Sequence, residues 1–192
     1  MKKIFITIAV IVFTLIACVF GIQSCRNTAL SKEITVEKQL DIIATTQNEM
    51  FNSLEQVAQT VKQYSKHEAN TLKEVIAMRT SGNSAADVNK NTEVLNKANL
   101  VISAVHEAYP ELKADKLYLE MTTAIQRYNS KVAASQKAYA NAKADYNIYI
   151  KQFPQQSILR MLGYESKVFE DLYTGESVAL PNQGKPKLFD ED

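Results

Sequence analysis

Tryptophan is missing altogether, and cysteine appears only at Cys18 and Cys25, close together near one end. Two thiols that near on one helical segment do not make a useful disulfide. None follows between residues 26 and 192, so neither a disulfide framework nor a thiolate metal site is available, and the rest of the chain must hold by packing. Glycine and proline are scarce, at five and four, and between Asn27 and Gln152 the only ones are Gly82 and Pro110. Long stretches therefore contain nothing that breaks a helix. A charge excess of one sign is also lacking: the formal net charge is +1, which argues against an electrostatic nucleic-acid binder.

The chain does have one long apolar run, from Ile4 to Ile22, behind Met1-Lys2-Lys3 and interrupted only by Thr7, Thr14 and Gly21. As a helix it reaches roughly 28 Å, close to the ~30 Å hydrocarbon core of a bilayer. Membrane attachment follows, in one of two ways. The run can be an uncleaved transmembrane helix, favoured because Val19, Phe20 and Ile22 continue it. Alternatively Leu15-Ile16-Ala17-Cys18 reads as a lipobox, cut before Cys18, whose thiol would carry lipid. A released secretory product fits less well, because the run exceeds the usual h-region. Lys2 and Lys3 precede the run and Arg26 and Lys32 follow it, a weak preference for an inside N-terminus and an extracytoplasmic bulk.

Beyond the anchor, the periodicity is helical. Val36, Leu40, Ile43, Gln47, Met50, Leu54, Val57, Val61 and Tyr64 form a heptad seam. It slips in phase toward Leu72 and Val75, as a stutter does. A shorter seam runs from Val94 to Ala108, and a third runs from Tyr118 through Ile125, Val132, Tyr139 and Tyr146 to Phe153. The 80–84 turn, with Gly82 as C-cap, ends the first helix near Arg79, and the second starts near Ser84 or Ala85. Tyr109-Pro110 ends the second. The third spans about Lys113 to Gln152, and Ser157 caps a short helix that Gly163 breaks. The expected fold is all-α: an N-terminal transmembrane helix, an antiparallel bundle of three long helices and a short C-terminal helix. Residues 1–25 are the anchor, 26–170 the bundle and 171–192 a weakly ordered tail. Helix one is too long for its partner, so residues 27–40 are expected to form a stalk.

Little here points to catalysis. His67-Glu68 and His106-Glu107 lack the second histidine four residues on that a zinc protease helix needs, those places being Thr71 and Pro110. No phosphate loop, nucleophile elbow or carboxylate pair can be placed, and the lysines alternate with acids as on solvated helix faces. No cofactor or metal is expected, and no enzyme. The tyrosines at 64, 118, 128, 139, 146 and 149 favour the wet edge of a core over a binding face. Gln47 and Ser135 are polar seam positions that can fix register.

Three stretches resemble the LemA family of membrane-anchored bacterial proteins. Val61-Lys62-Gln63-Tyr64-Ser65-Lys66-His67-Glu68, continuing through Thr71, Leu72 and Val75 to Arg79, is similar to the family's V-K-x-Y-x-K-H-E-x-x-T-L-x-x-V-x-x-x-R. Ala108-Tyr109-Pro110-Glu111-Leu112-Lys113-Ala114 is similar to its A-Y-P-[DE]-L-K-A turn. Tyr139 to Phe153-Pro154, with Leu162-Gly163-Tyr164, is similar to its tyrosine-rich third helix and L-F-G-F segment. The resemblance implies a single-pass membrane protein with a helical bundle and no assigned reaction. Glu55 stands where the family pattern carries proline in a basic run, a divergence that suits a distant branch such as one carried by a phage.

The function expected is a membrane-tethered interaction or scaffold module with an unknown protein partner. Its interaction surface is expected among Tyr64, Lys66, His67, Glu68, Arg79, Tyr109, Pro110, Leu159 and Tyr164. Leu159 and Tyr164 could instead dock on the bundle. Self-association through the seams is a further possibility. The alternative function is a Cys18-lipidated periplasmic envelope protein, such as a phage lysis or exclusion component.

Overall fold

The computed structural model describes residues 2–173, and within them the chain is all-α. Its helices are α1 (Lys2–Val61), α2 (Lys66–Ala77), α3 (Ala85–Ala108), α4 (Lys116–Lys151) and α5 (Gln155–Met161), with a 3-10 turn at Pro110–Ala114. Of the tail expected over residues 171–192, the part from Thr174 onward lies outside the described residues. The chain divides into two compact units, Met1–Gln39 with Tyr139–Phe169, and Leu40–Ala138 with the chain from Glu170. α1 and α4 contribute to both.

In the second unit the α1 seam is buried as its spacing predicts, with Ile43, Gln47, Met50, Leu54, Val57 and Val61 inside. Burial spreads well past the seam to Ala44, Thr46, Phe51, Ser53, Ala58 and Thr60. α1 is the central helix here, covered on several sides. Gln47 Nε2 donates to Val88 O at 3.1 Å and to Thr92 Oγ1 at 2.9 Å on α3. Glu49 pairs with Lys131 of α4 and Glu55 with Arg79, just past α2.

These contacts set the directions: α2 and α4 run against α1, and α3 runs with it. The expected continuous first helix to Arg79 is thus corrected. α1 stops at Val61 and α2 doubles back, because Ser65 caps a new helix by accepting from Glu68 N–H at 3.4 Å. Ser65-Lys66-His67-Glu68 has the S-x-x-E spacing of a capping box, the local signal for this start.

The 80–84 turn differs in detail too. Gly82 is not a left-handed cap, since among the described residues only Gly163 has positive φ, at 65°. A Cβ on Gly82 would instead lie 2.1 Å from Asp87 Oδ2. That carboxylate closes a capping box with Ser84 at the start of α3, where the start was expected. Asn91 ties the turn down, its Oδ1 accepting from Thr80 N–H at 2.9 Å and its Nδ2 donating to Thr80 O at 3.1 Å.

After Tyr109 the chain makes the 3-10 turn, and α4 begins at Lys116, later than expected. Asp115 fixes that start by accepting from Tyr118 N–H at 2.9 Å. Tyr173, past the expected start of the tail, donates its N–H to Asn89 Oδ1 at 2.6 Å.

In the first unit the residues expected as an unpartnered stalk are covered. Ala29 and Val36 have no exposed surface, and Cys25 and Ala29 cluster with Leu159, bordered by Tyr149, Ile150, Ile158 and Tyr164. The stalk expectation fails because the end of α4 and the chain after it fold back along α1. α5 begins at Gln155 with no side-chain cap, so Ser157 does not start it. The apolar run, by contrast, is uncovered: a window of mean hydropathy 2.9 in α1 has none of its residues buried.

Candidate interaction surface

Two of the resemblance-bearing stretches end up at the same end of the second unit. The turn after α1 brings Tyr64 over the turn before α4, and the Tyr64 hydroxyl donates to Asp115 Oδ2 at 3.3 Å. Partial burial, then the Asp115 carboxylate, hold the phenol above its usual range. Lys66 and His67 occupy the first turn of α2 beside it and are exposed, and Glu68 is half-buried. Tyr109 packs against the core while Pro110 is exposed. This end therefore presents a phenol, a lysine, an imidazole and a proline ring on two chain segments, the first fixed by the Ser65 cap and the second running into the Asp115 cap of α4.

The other expected residues lie elsewhere. Arg79 is midway along the bundle, its guanidinium 3.0 Å from Glu55 and 5.6 Å from the Phe51 ring centroid. Glu55, the residue that departs from the family pattern, thus has a partner. Both side chains are half exposed, so the pair adds ~1 kcal/mol at most.

Leu159 and Tyr164 belong to the first unit and are engaged there. Leu159 is buried, and Tyr164 donates to Glu33 Oε2 at 2.5 Å with its oxygen 3.3 Å from the Tyr146 hydroxyl. Tyr146 also accepts from Lys167 N–H at 2.9 Å, and Lys167 Nζ pairs with Glu37. Tyr149 donates to Cys25 O at 3.2 Å, with the Lys32 ammonium 5.8 Å from its ring centroid. The network clasps residues 164–167 to α1. Burial, then the bond to Glu33, pushes the Tyr164 phenol well above its usual range.

The second unit also encloses polar groups, among them Tyr118, which was expected at the wet edge of the core and is instead fully buried. His106 stacks on Tyr118 with centroids 6.1 Å apart. Burial lowers the imidazole pKa and Lys113 adds to the effect, while burial pushes the Tyr118 phenol up to about 12. The Tyr118 hydroxyl and both side-chain polar atoms of Asn99 have no hydrogen-bond partner. A seam-position tyrosine gave warning of the first; nothing in the spacing distinguishes Asn99 from a surface residue.

Cys18 is exposed on the uncovered part of α1. Among the described residues no group of three or more His, Cys, Asp and Glu is placed to hold a metal.

Fold and surface define an all-α bundle protein carrying, among the described residues, one helix long and apolar enough to cross a membrane. The LemA family's sequence profile matches residues 38–181, and the chain belongs to the LemA family, which is membrane-associated. No curated protein sequence and no solved structure matches the chain significantly.

Proposed function

We propose that the protein is a non-enzymatic interaction or scaffold module, held by α1 as a single transmembrane span, with its bulk on the extracytoplasmic side. A partner protein docks on the end of the second unit formed by residues 62–68 and 109–115. One observation carries the docking surface: two stretches far apart in sequence, both with the family's motif pattern, are joined there by the Tyr64–Asp115 bond, with Lys66, His67 and Pro110 left exposed. Backbone fixed by caps loses little freedom on binding, which favours recognition. Tethering confines the module to two dimensions and raises its effective concentration toward membrane partners.

A photocrosslinking amino acid at position 67, compared in cells with one at the exposed Lys137, tests the surface. A discrete adduct at 67 that Lys66→Glu abolishes is expected; adducts at 137 alone contradict the proposal. The anchor is tested separately with Phe13→Arg combined with Ile16→Arg, which should move the protein from the carbonate-washed membrane pellet to the supernatant. The lipobox at Leu15 to Cys18 supports the other reading, a periplasmic lipoprotein. Palmitate-analogue labelling that Cys18→Ser removes would favour it over the span.

A further inference from the structure

The end of α4 in the first unit has an apolar and basic surface that the clasp does not use. α4 runs against α1 there: Tyr146 reaches Tyr164, which reaches Glu33, and three residues later Tyr149 reaches Cys25. At ~1.5 Å per residue the next turn of chain brings Phe153 to about the level of Ile22, where the apolar run ends. Phe153 is 86% exposed and Met161, at the end of α5, is 69% exposed. Alongside α5 is a cleft of about 450 Å³ whose lining includes Lys151, Leu159 and Arg160, with Glu165 its only acidic member. An aromatic ring and a lysine at the level where a span leaves the hydrocarbon, with Arg160 a turn or so further along α1, form the composition that membrane interfaces favour.

We propose that this α4–α5 turn is a second membrane contact. Phe153 enters the interfacial layer, and Lys151 and Arg160 take the phosphates of anionic lipid headgroups. The proposal rests on α1 spanning the bilayer, since continuity with that span is what sets the depth of Phe153. Its occupant is a lipid surface, because the exposed apolar groups lie beside cations at the end of an apolar helix. The contact would fix the first unit against the bilayer as well as tether it.

The absence of tryptophan from the chain allows single-tryptophan reporters. Phe153→Trp, Phe13→Trp and Ile34→Trp are made separately in the full-length protein. Each is reconstituted into phosphatidylcholine–phosphatidylglycerol bilayers with brominated acyl chains. Ile34 is exposed, belongs to the same unit and lies roughly 18 Å along α1 from Ile22. The expected result is quenching and blue-shifted emission at Phe13→Trp and Phe153→Trp, and neither at Ile34→Trp. Replacing Lys151 and Arg160 together by glutamine should weaken the Phe153→Trp quenching to the level seen in phosphatidylcholine alone.

Quenching at Phe13→Trp with a water-exposed Phe153→Trp overturns this proposal and leaves the span intact. Quenching at Ile34→Trp as well overturns it by showing that α1 lies along the surface. No quenching at any position overturns both it and the span.

Discussion

Tyr118 is buried with an unpaired hydroxyl and Tyr164 is half-buried with a shared one, so removing the two oxygens should act in opposite directions. Tyr118→Phe removes a polar group that burial has already stripped of water, and the melting temperature should hold or rise. Tyr164→Phe breaks the link from Glu33 to Tyr146 and should cost about 1 kcal/mol. Thermal melts of the two full-length variants in detergent compare them. Both phenols have pKa values raised above the free value of 10.0. Their contribution is complete below pH about 10 and is lost as pH rises, for Tyr118 through about 12. His106 has the opposite sense: its folded pKa is below 6.5, so stability present above that pH is lost as pH falls through the folded value. A melting-temperature profile should therefore fall at both ends, and Tyr118→Phe should flatten its alkaline side. None of this was legible in the chain beyond the seam positions of the tyrosines, because an unpaired hydroxyl is a property of its neighbours.

At the scale of elements, caps decide where helices begin, and they were partly readable. Ser84 was, as a polar residue at the start of α3, which begins as expected, although its Asp87 partner was not. Ser65 with Glu68 was hidden by the apolar seam, which reaches Tyr64 at regular spacing and masks the break after Val61. Spacing alone cannot separate a stutter from a reversal, since both shift the phase. Ser84→Ala should cost about 1 kcal/mol through loss of the α3 cap. Gly82→Ala should cost a similar amount by displacing the Asp87 carboxylate from that cap. Asn91→Ala should cost more, about 2 kcal/mol, because it leaves both Thr80 backbone groups without their partner. Denaturant midpoints of the three variants would order them.

At the scale of the whole molecule, the apolar run and the all-α character were plain from composition and periodicity. The clasp was not: Tyr164 and Lys167 meet Glu33 and Glu37 from more than a hundred residues away, and no local pattern encodes that pairing. The same long-range fold-back converts the expected stalk into packed helix. The interaction surface was legible as two separate motifs, and only the fold joins them. Everything proposed for the molecule depends on α1 remaining attached as a span. The decisive measurement is the intact mass of membrane-extracted protein, combined with protease accessibility of a tag after Asp192 in sealed cells and in spheroplasts. The account predicts full-length mass, with the tag protected in sealed cells and cut in spheroplasts. A mass beginning at a lipidated Cys18 would contradict it, and so would a full-length protein whose tag stays protected in spheroplasts.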